Sequence, residues 1–155
     1  MSLDVGDKAP SFSLQTDGGG DISLKDLKGQ TVVLYFYPKD DTPGCTAEAC
    51  GFRDALPDFS KVKATVIGVS KDPVKKHDKF KDKYALNFPL ASDEDGNICE
   101  AYGTWVEKSM YGRKYMGIER STFVIDGKGV IRGVWRKVKV PGHVDEVLKA
   151  VQELA

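Results

Sequence analysis

The sequence predicts an α/β fold: a central mixed β-sheet flanked by helices, with an extra β-hairpin at the N-terminal end. Three observations carry this. Thr31–Tyr37 and Ala64–Ser70 are uncharged runs rich in β-branched and aromatic residues, the composition of strands buried on both faces. Each is followed by turn or capping residues and then a helix-forming segment. The C-terminal part reads as two strands joined by a tight turn and closed by an amphipathic helix.

Taken in order, Ser11–Leu14 and Asp21–Leu24 alternate polar and apolar residues, the period of a strand. Gly18-Gly19-Gly20 between them reads as the turn of a short hairpin, since the Lys-Ser/Thr pair of a phosphate loop does not follow. Pro38 ends the first buried strand. Asp40–Gly44 carries turn and N-cap chemistry ahead of a helix over Cys45–Leu56. After the second buried strand, Asp72-Pro73 opens a helix with proline at its first position. It runs to about Tyr84, with Val74, His77, Phe80 and Tyr84 near one face. Ser92–Tyr102 reads as a shorter helix, weakened by Gly96. Ser121–Ile125 and Val130–Trp135 are strands, and Asp126–Gly129 is the hairpin turn between them. Gly142–Leu154 is an amphipathic helix with Val144, Val147, Leu148 and Val151 on one stripe. A βαβ start and a ββα end put helices on both faces of a mixed sheet. That is the element order of a thioredoxin-like fold with added N-terminal strands and an inserted helix.

Length and charge narrow the function. The 155 residues suit one domain spanning 1–155, since domains cluster at roughly 100–150 residues. A chain of this size buries about 70% of its unfolded surface and needs no staple. Lys plus Arg is 23 and Asp plus Glu is 23, which argues against a general nucleic-acid binder that must displace phosphate counterions. The longest uncharged apolar stretch, Thr31–Pro38, falls far short of the roughly 20 residues of a bilayer span, so no membrane insertion is expected. The opening Met1–Asp7 has neither the basic nor the apolar region of a secretory leader. Three cysteines are too few, and odd in number, for a disulfide scaffold. Together these predict a reducing compartment: a cytoplasmic protein, or the processed form of an organellar one. Cysteines there are free, metal-bound or catalytic.

The informative stretch is Phe36–Cys50. Cys45 falls where a loop leaves the carboxyl end of a buried strand and enters a helix, the usual place for ligands in α/β sheets. A helix N-terminus offers unpaired N–H groups and partial positive charge. A thiol so placed ionises more readily, its pKa commonly moving from about 8.5 into the range of roughly 3.5–7.5, and the same N–H groups stabilise a neighbouring oxyanion. Position alone also fits a small buried hydrophobe. The neighbours favour chemistry. Thr42 brings a hydroxyl that donates and accepts, Pro43 stiffens the turn, and Pro38 fixes the chain's exit from the strand and is expected to shield the thiol from water.

Pro38-x-x-x-Thr42-x-x-Cys45 resembles the active-site motif of the peroxiredoxins in every fixed position. The wider run FYPKDDTPGCTAEACGFRD is similar to the bacterioferritin-comigratory protein or peroxiredoxin Q subfamily. The resemblance extends over nearly the whole chain, including Gly6–Phe12, Phe88–Asp93 and Arg120–Asp126. It implies a thiol-dependent peroxidase reducing hydrogen peroxide and organic hydroperoxides, without metal, haem or flavin. It implies that Cys45 is the peroxidatic cysteine, oxidised to a sulfenic acid, with Thr42 and the Cys45 N–H orienting the peroxide. Arg120 matches the family's active-site arginine, its fixed charge favouring thiolate and leaving oxygen; without the family it reads as a surface residue paired with Glu119. Glu48, three residues after Cys45, either pairs with Arg120 or is a solvated first-turn carboxylate. The resemblance implies that Cys50 is the candidate resolving cysteine of an intramolecular disulfide, because C-x4-C in the first helix is one of two arrangements in the subfamily. The other needs a cysteine on the next helix, where Lys79–Tyr84 has none. The reductant implied is thioredoxin, or a glutaredoxin, and the chain is expected to be monomeric.

Helix geometry adds a consequence. Residues five apart lie roughly 7.5 Å along the axis and 500° around it, about 8.7 Å between Cα atoms, beyond the roughly 7 Å limit of a disulfide. The helix must therefore unwind locally after oxidation, aided by Gly51, since glycine costs about 1 kcal/mol in a helix interior. Cys99, among apolar neighbours, reads as a structural thiol and as a backup resolver. Four rival readings are weaker. A zinc site from Cys45, Cys50 and Cys99 with His77 or His143 has scattered ligands. A cysteine hydrolase needs a placed His base, and His77, among Lys75, Lys76 and Lys79, reads as solvated. A C-x-x-C oxidoreductase lacks its spacing. A binding module would use Trp105, Tyr111 and Tyr115, in a Gly103–Gly117 stretch that reads as a lid over the core.

Overall fold

In the computed structural model, which describes residues 3–155, the N-terminal hairpin is β1 (Ser13–Thr16) paired antiparallel with β2 (Asp21–Ser23). Met1 and Ser2 of the opening segment read above lie outside the described residues. The buried runs form β3 (Thr31–Phe36) and β4 (Ala64–Ser70), with α1 (Pro43–Lys61) between them. Then follow α2 (Val74–Tyr84), β5 (Leu90–Ser92), α3 (Asn97–Ala101), β6 (Trp105–Met110), β7 (Arg113–Ile118), β8 (Ser121–Ile125), β9 (Ile131–Trp135) and α4 (His143–Leu154). The main sheet runs β2-β1-β5-β4-β3-β8-β9. It is mixed: β3, β4 and β5 are mutually parallel, and β8, β9 and β1 join antiparallel.

Strand pleating divides the core between two faces. Val33, Tyr35 and Tyr37 pack with Cys45, Ala49, Phe52 and Phe59 of α1, Phe80 of α2, and Val147 and Val151 of α4. Val32, Leu34 and Phe36 face the other side, with Cys99 of α3, Tyr102 and Ile118. The helices therefore do lie on both faces, but unequally. Gly68 on β4 is glycine because a Cβ there would come within 2.9 Å of the Tyr35 ring and hydroxyl.

Several elements differ from the sequence expectation. Helix α1 begins at Pro43 and runs past Pro57 to Lys61. Pro57 has no N–H to offer the Arg53 carbonyl, and the Asn87 side-chain amide donates to that carbonyl instead, at 3.2 Å. Pro73 is the N-cap of α2. The segment read as a helix from Ser92 begins only at Asn97, because Gly96 takes a left-handed conformation (φ 80°) at its N-cap, and Leu90–Ser92 before it is a strand. Gly103–Gly117 is not a lid. It contributes β6 and most of β7, a separate two-stranded hairpin whose root, Trp105 and Ile118, packs on the core. Met110, Tyr111, Tyr115 and Met116 are exposed.

Candidate active site

The loop between β3 and α1 carries Pro38 and Thr42, and α1 carries Cys45 in its first turn. The first helical bond runs from the Thr46 N–H to the Thr42 carbonyl at 2.8 Å. No side chain caps the turn. The Thr42 hydroxyl donates instead to the Lys39 carbonyl at 2.9 Å, leaving its oxygen to accept. Pro43 has no N–H, so the Gly44 and Cys45 amides are the uncapped donors of this helix end.

Arg120 lies between β7 and β8 and reaches across to this turn. Its Nη2 donates to Cys45 Sγ at 3.3 Å, and its Nη1 donates to Glu48 Oε1 at 2.6 Å. Arg120 thus pairs with Glu48, one of the two readings of that carboxylate, and not with Glu119, so it is no rim residue. Glu48 is fully buried, not a solvated carboxylate, because its turn of α1 faces the sheet. Burial pushes its carboxyl up to about 7, with the Arg120 charge pulling the other way. Its Oε2 makes no hydrogen bond. Tyr35, beneath, also leaves its hydroxyl unpartnered. Burial, then the Glu48 and Cys45 charges, hold that phenol well above its usual range. Cys45 is 1% exposed. Pro38, on the outer side of the same loop, is exposed.

Cys50 is free and half-buried, in an unbroken α1. Gly51 has a packing role as well as a conformational one: a Cβ there would meet Val144 Cγ2 of α4 at 3.0 Å. Cys99 is buried on the opposite face of the sheet from Cys45. Burial, then the Asp93 carboxylate, push its thiol well up. That placement overturns its reading as a backup resolver, since the sheet stands between the two sulfurs. Among the described residues, no three His, Cys, Asp or Glu side chains gather as a metal-holding group.

Sequence reasoning missed four neighbours. A Cβ on Gly44 would lie 3.1 Å from Arg120 Nη2, so glycine makes room for the guanidinium; a glycine in a helix's first turn was the available signal. Lys108 on β6 joins the same field: burial, then the Arg120 charge, lower its ammonium. His143 is buried, with Nε2 2.8 Å from the Thr122 hydroxyl. Burial, then Arg120, hold its imidazole down at about 4. His77 is fully buried and not solvated, because it shares the inward stripe of α2 with Phe80 while the lysines turn outward.

Residues 5–134 match the AhpC/TSA family. The chain is 61% identical over 148 residues to a putative peroxiredoxin bcp of Coxiella burnetii, covering 96% of this chain and 98% of the relative. It is 48% identical over 155 residues to peroxiredoxin Bcp of Bacillus subtilis, covering 100% and 99%. Among solved structures, a Xylella fastidiosa PrxQ mutant superposes with TM-score 0.94 at 43% identity over 99% of this chain and 98% of that one. A Xanthomonas campestris bacterioferritin comigratory protein, studied for its alkyl peroxide reduction activity, gives 0.88 at 46% over 92% and 90%.

Proposed function

The chain belongs to the AhpC/TSA family as a peroxiredoxin of the Bcp or peroxiredoxin Q kind and is a thiol-dependent peroxidase; from that premise we propose how its residues divide the work. The Cys45 thiolate attacks the distal oxygen of the peroxide. The S–O bond forms as the O–O bond breaks, and the leaving alkoxide or hydroxide takes a proton and departs as alcohol or water. Thr42 and the first-turn amides position the peroxide. Arg120 stabilises charge on the sulfur and the departing oxygen, and Glu48 holds Arg120. Cys50 then attacks the Cys45 sulfenic acid, expelling water and forming a disulfide. An external dithiol protein, a thioredoxin or glutaredoxin, reduces it by thiol–disulfide exchange.

The observation that carries this reading is Arg120 Nη2 at 3.3 Å from Cys45 Sγ, on an uncapped helix N-terminus. Hydrogen peroxide and organic hydroperoxides are both proposed substrates; the alkyl peroxide activity of the Xanthomonas relative supports the second. The reading further takes residues 1–155 as one domain acting as a monomer, in a reducing cytoplasm suited to three free cysteines. No helix among the described residues is long and apolar enough to cross a membrane. The test is peroxide consumption by purified protein with a thioredoxin system and a Cys45→Ser control. Turnover should vanish in the variant while its melting temperature holds. Retained turnover would remove Cys45 from this role.

A further inference from the structure

Behind the β3–α1 loop lies a buried polar cluster that the peroxidase chemistry does not use. His77 of α2 is fully buried. Its Nδ1 is 2.6 Å from Asp40 Oδ2, and its Nε2 is 3.0 Å from the Ala91 carbonyl. A carbonyl only accepts, so Nε2 carries a hydrogen. A proton also lies between Nδ1 and the carboxylate, because two lone pairs at that distance would repel. The other Asp40 oxygen, Oδ1, accepts from the Tyr37 hydroxyl at 2.5 Å. Burial, then the Asp40 charge, hold that phenol well above its usual range, so it stays a donor. The Asp40 N–H donates to Asp72 Oδ2 at 2.8 Å, and that oxygen also accepts from Ser70 Oγ at 2.8 Å. Asp40 is thus fixed at side chain and backbone, two residues before Thr42.

The next residue is held as well. Asp41 takes a left-handed conformation (φ 60°), which a non-glycine residue adopts at some cost. Its carboxylate accepts from Tyr84 OH at 2.8 Å and Lys83 Nζ at 2.9 Å. Both partners belong to α2, as His77 does. One helix therefore holds two successive loop residues, one inward and one outward.

We propose that His77 is a positioning residue for the peroxide-binding loop, holding Asp40 so that Thr42 and the first turn of α1 stand in register with Cys45. This rests on the peroxidase reading of Thr42 and extends it to α2. A buried carboxylate without its partner is strongly disfavoured, so loss of the His77 donor should let the loop relax toward solvent.

The imidazole's two contacts can be separated. Asn places its amide near the Nδ1 position and keeps the donor to Asp40. Gln places it near Nε2 and keeps the donor to Ala91. Stopped-flow single-turnover oxidation of Cys45 should slow about ten- to a hundredfold in His77→Gln, the size expected for a small misplacement of a reacting geometry. His77→Asn should recover most of that rate. The effect should also be coupled to Thr42. Thr42→Val should slow oxidation by itself, and adding His77→Gln to it should slow it little further. A role in stability alone predicts equal losses in Asn and Gln, or independent losses with Thr42→Val, and either result overturns the proposal. So does an unchanged rate in His77→Gln. If Thr42→Val leaves the rate unaltered, the peroxide-loop reading fails and the proposal fails with it; slowing by Thr42→Val without slowing by His77→Gln condemns His77 alone. Should His77→Gln not fold, Tyr37→Phe removes the other donor to Asp40 at little change in volume. It should slow the same step and show the same coupling, and its failure to do so overturns the proposal.

Discussion

Adding one methyl group at Gly44 should slow peroxide reduction without weakening the fold. A Cβ at Gly44 would stand 3.1 Å from Arg120 Nη2, whereas non-bonded heavy atoms settle at roughly 3.5–4.0 Å, so the guanidinium must retreat by about half an ångström. The retreat has a direction. Nη1 is tied to Glu48 at 2.6 Å, and Nη2 reaches Cys45 Sγ at 3.3 Å. The side chain will therefore pivot about the short bond and give up the long one. A hydrogen bond to a charged group contributes about 1.5–3 kcal/mol; losing roughly half of it raises the barrier by about 1 kcal/mol, or about fivefold in rate. Stability should move the other way or not at all. Gly44 is not in the left-handed region, and alanine is favoured over glycine in a helix by up to about 1 kcal/mol. The assay is single-turnover oxidation of Cys45 at neutral pH, with thermal melts of the reduced protein alongside. An undiminished rate in a properly folded variant would show that the Nη2–Sγ contact does not assist the reaction.

Three further outcomes are expected. Cys50→Ser should oxidise at Cys45 as fast as the native chain but stop thioredoxin-linked turnover, accumulating sulfenic and, under excess peroxide, sulfinic acid by mass spectrometry; a further Cys99→Ser change should alter nothing, given its place across the sheet. Stoichiometric oxidation should unwind the first turns of α1, losing helical circular dichroism and the exchange protection of amides from Cys45 to about Arg53, and should lower the melting temperature, because a small loop gains little closure entropy; an intact, more stable oxidised helix would refute the Cys45–Cys50 pairing. The pH dependence of stability should be nearly flat between about pH 4.5 and 6.5 because two buried groups oppose each other. Glu48, raised from 4.5 to about 7, keeps in the folded state a proton that the unfolded chain releases, so its contribution falls as pH rises through that window. His143, lowered from 6.5 to about 4, refuses a proton that the unfolded chain accepts, so its contribution rises with pH. In urea titrations, Glu48→Gln should leave only the rise and His143→Gln only the fall; slopes of the same sign in both variants would refute the assignment.

What could be read from the residues alone follows physical lines. β3 and β4 were legible because burial on both faces demands an unbroken apolar run, and nothing in the tertiary structure contradicts that local pattern. β5 was not, because Leu90–Ser92 is three residues long and follows a proline; it is a strand by virtue of pairing with β4 and β1. The start of α1 was placed two residues late because Pro43 and Gly44 have low helix propensity, yet both suit a first turn. Its end was placed early because Pro57 reads as a stop. Cys45 stood out by its place where a buried strand's loop enters a helix, Thr42 by its hydroxyl on that loop, and the resemblance to the family motif joined the two. Arg120 is 75 residues from Cys45, and only the family resemblance pointed to it. His77 was hidden by its flanking lysines: local charge suggested a wet face, while its real partners, Asp40 and Ala91, are 37 and 14 residues away.

The proline at position 57 bears on how a helix can come apart repeatedly without endangering the domain. Helix disruption spreads as each lost hydrogen bond frees the next residue, and a seam in the ladder confines such a spread. Here the rung between residues 53 and 57 is missing by covalent structure, and the vacant carbonyl is held from outside by Asn87. The Arg53 guanidinium is moored nearby, donating to the Tyr84 carbonyl at 2.7 Å. Beyond the seam, Phe59 stays seated in the core. On the proposed Cys45–Cys50 pairing, the seam would divide α1 into a length bearing both cysteines, which has to open, and a length anchored in the core, which need not. Under that pairing the first length would open and reclose at each turnover, and the second would keep the register to which it returns.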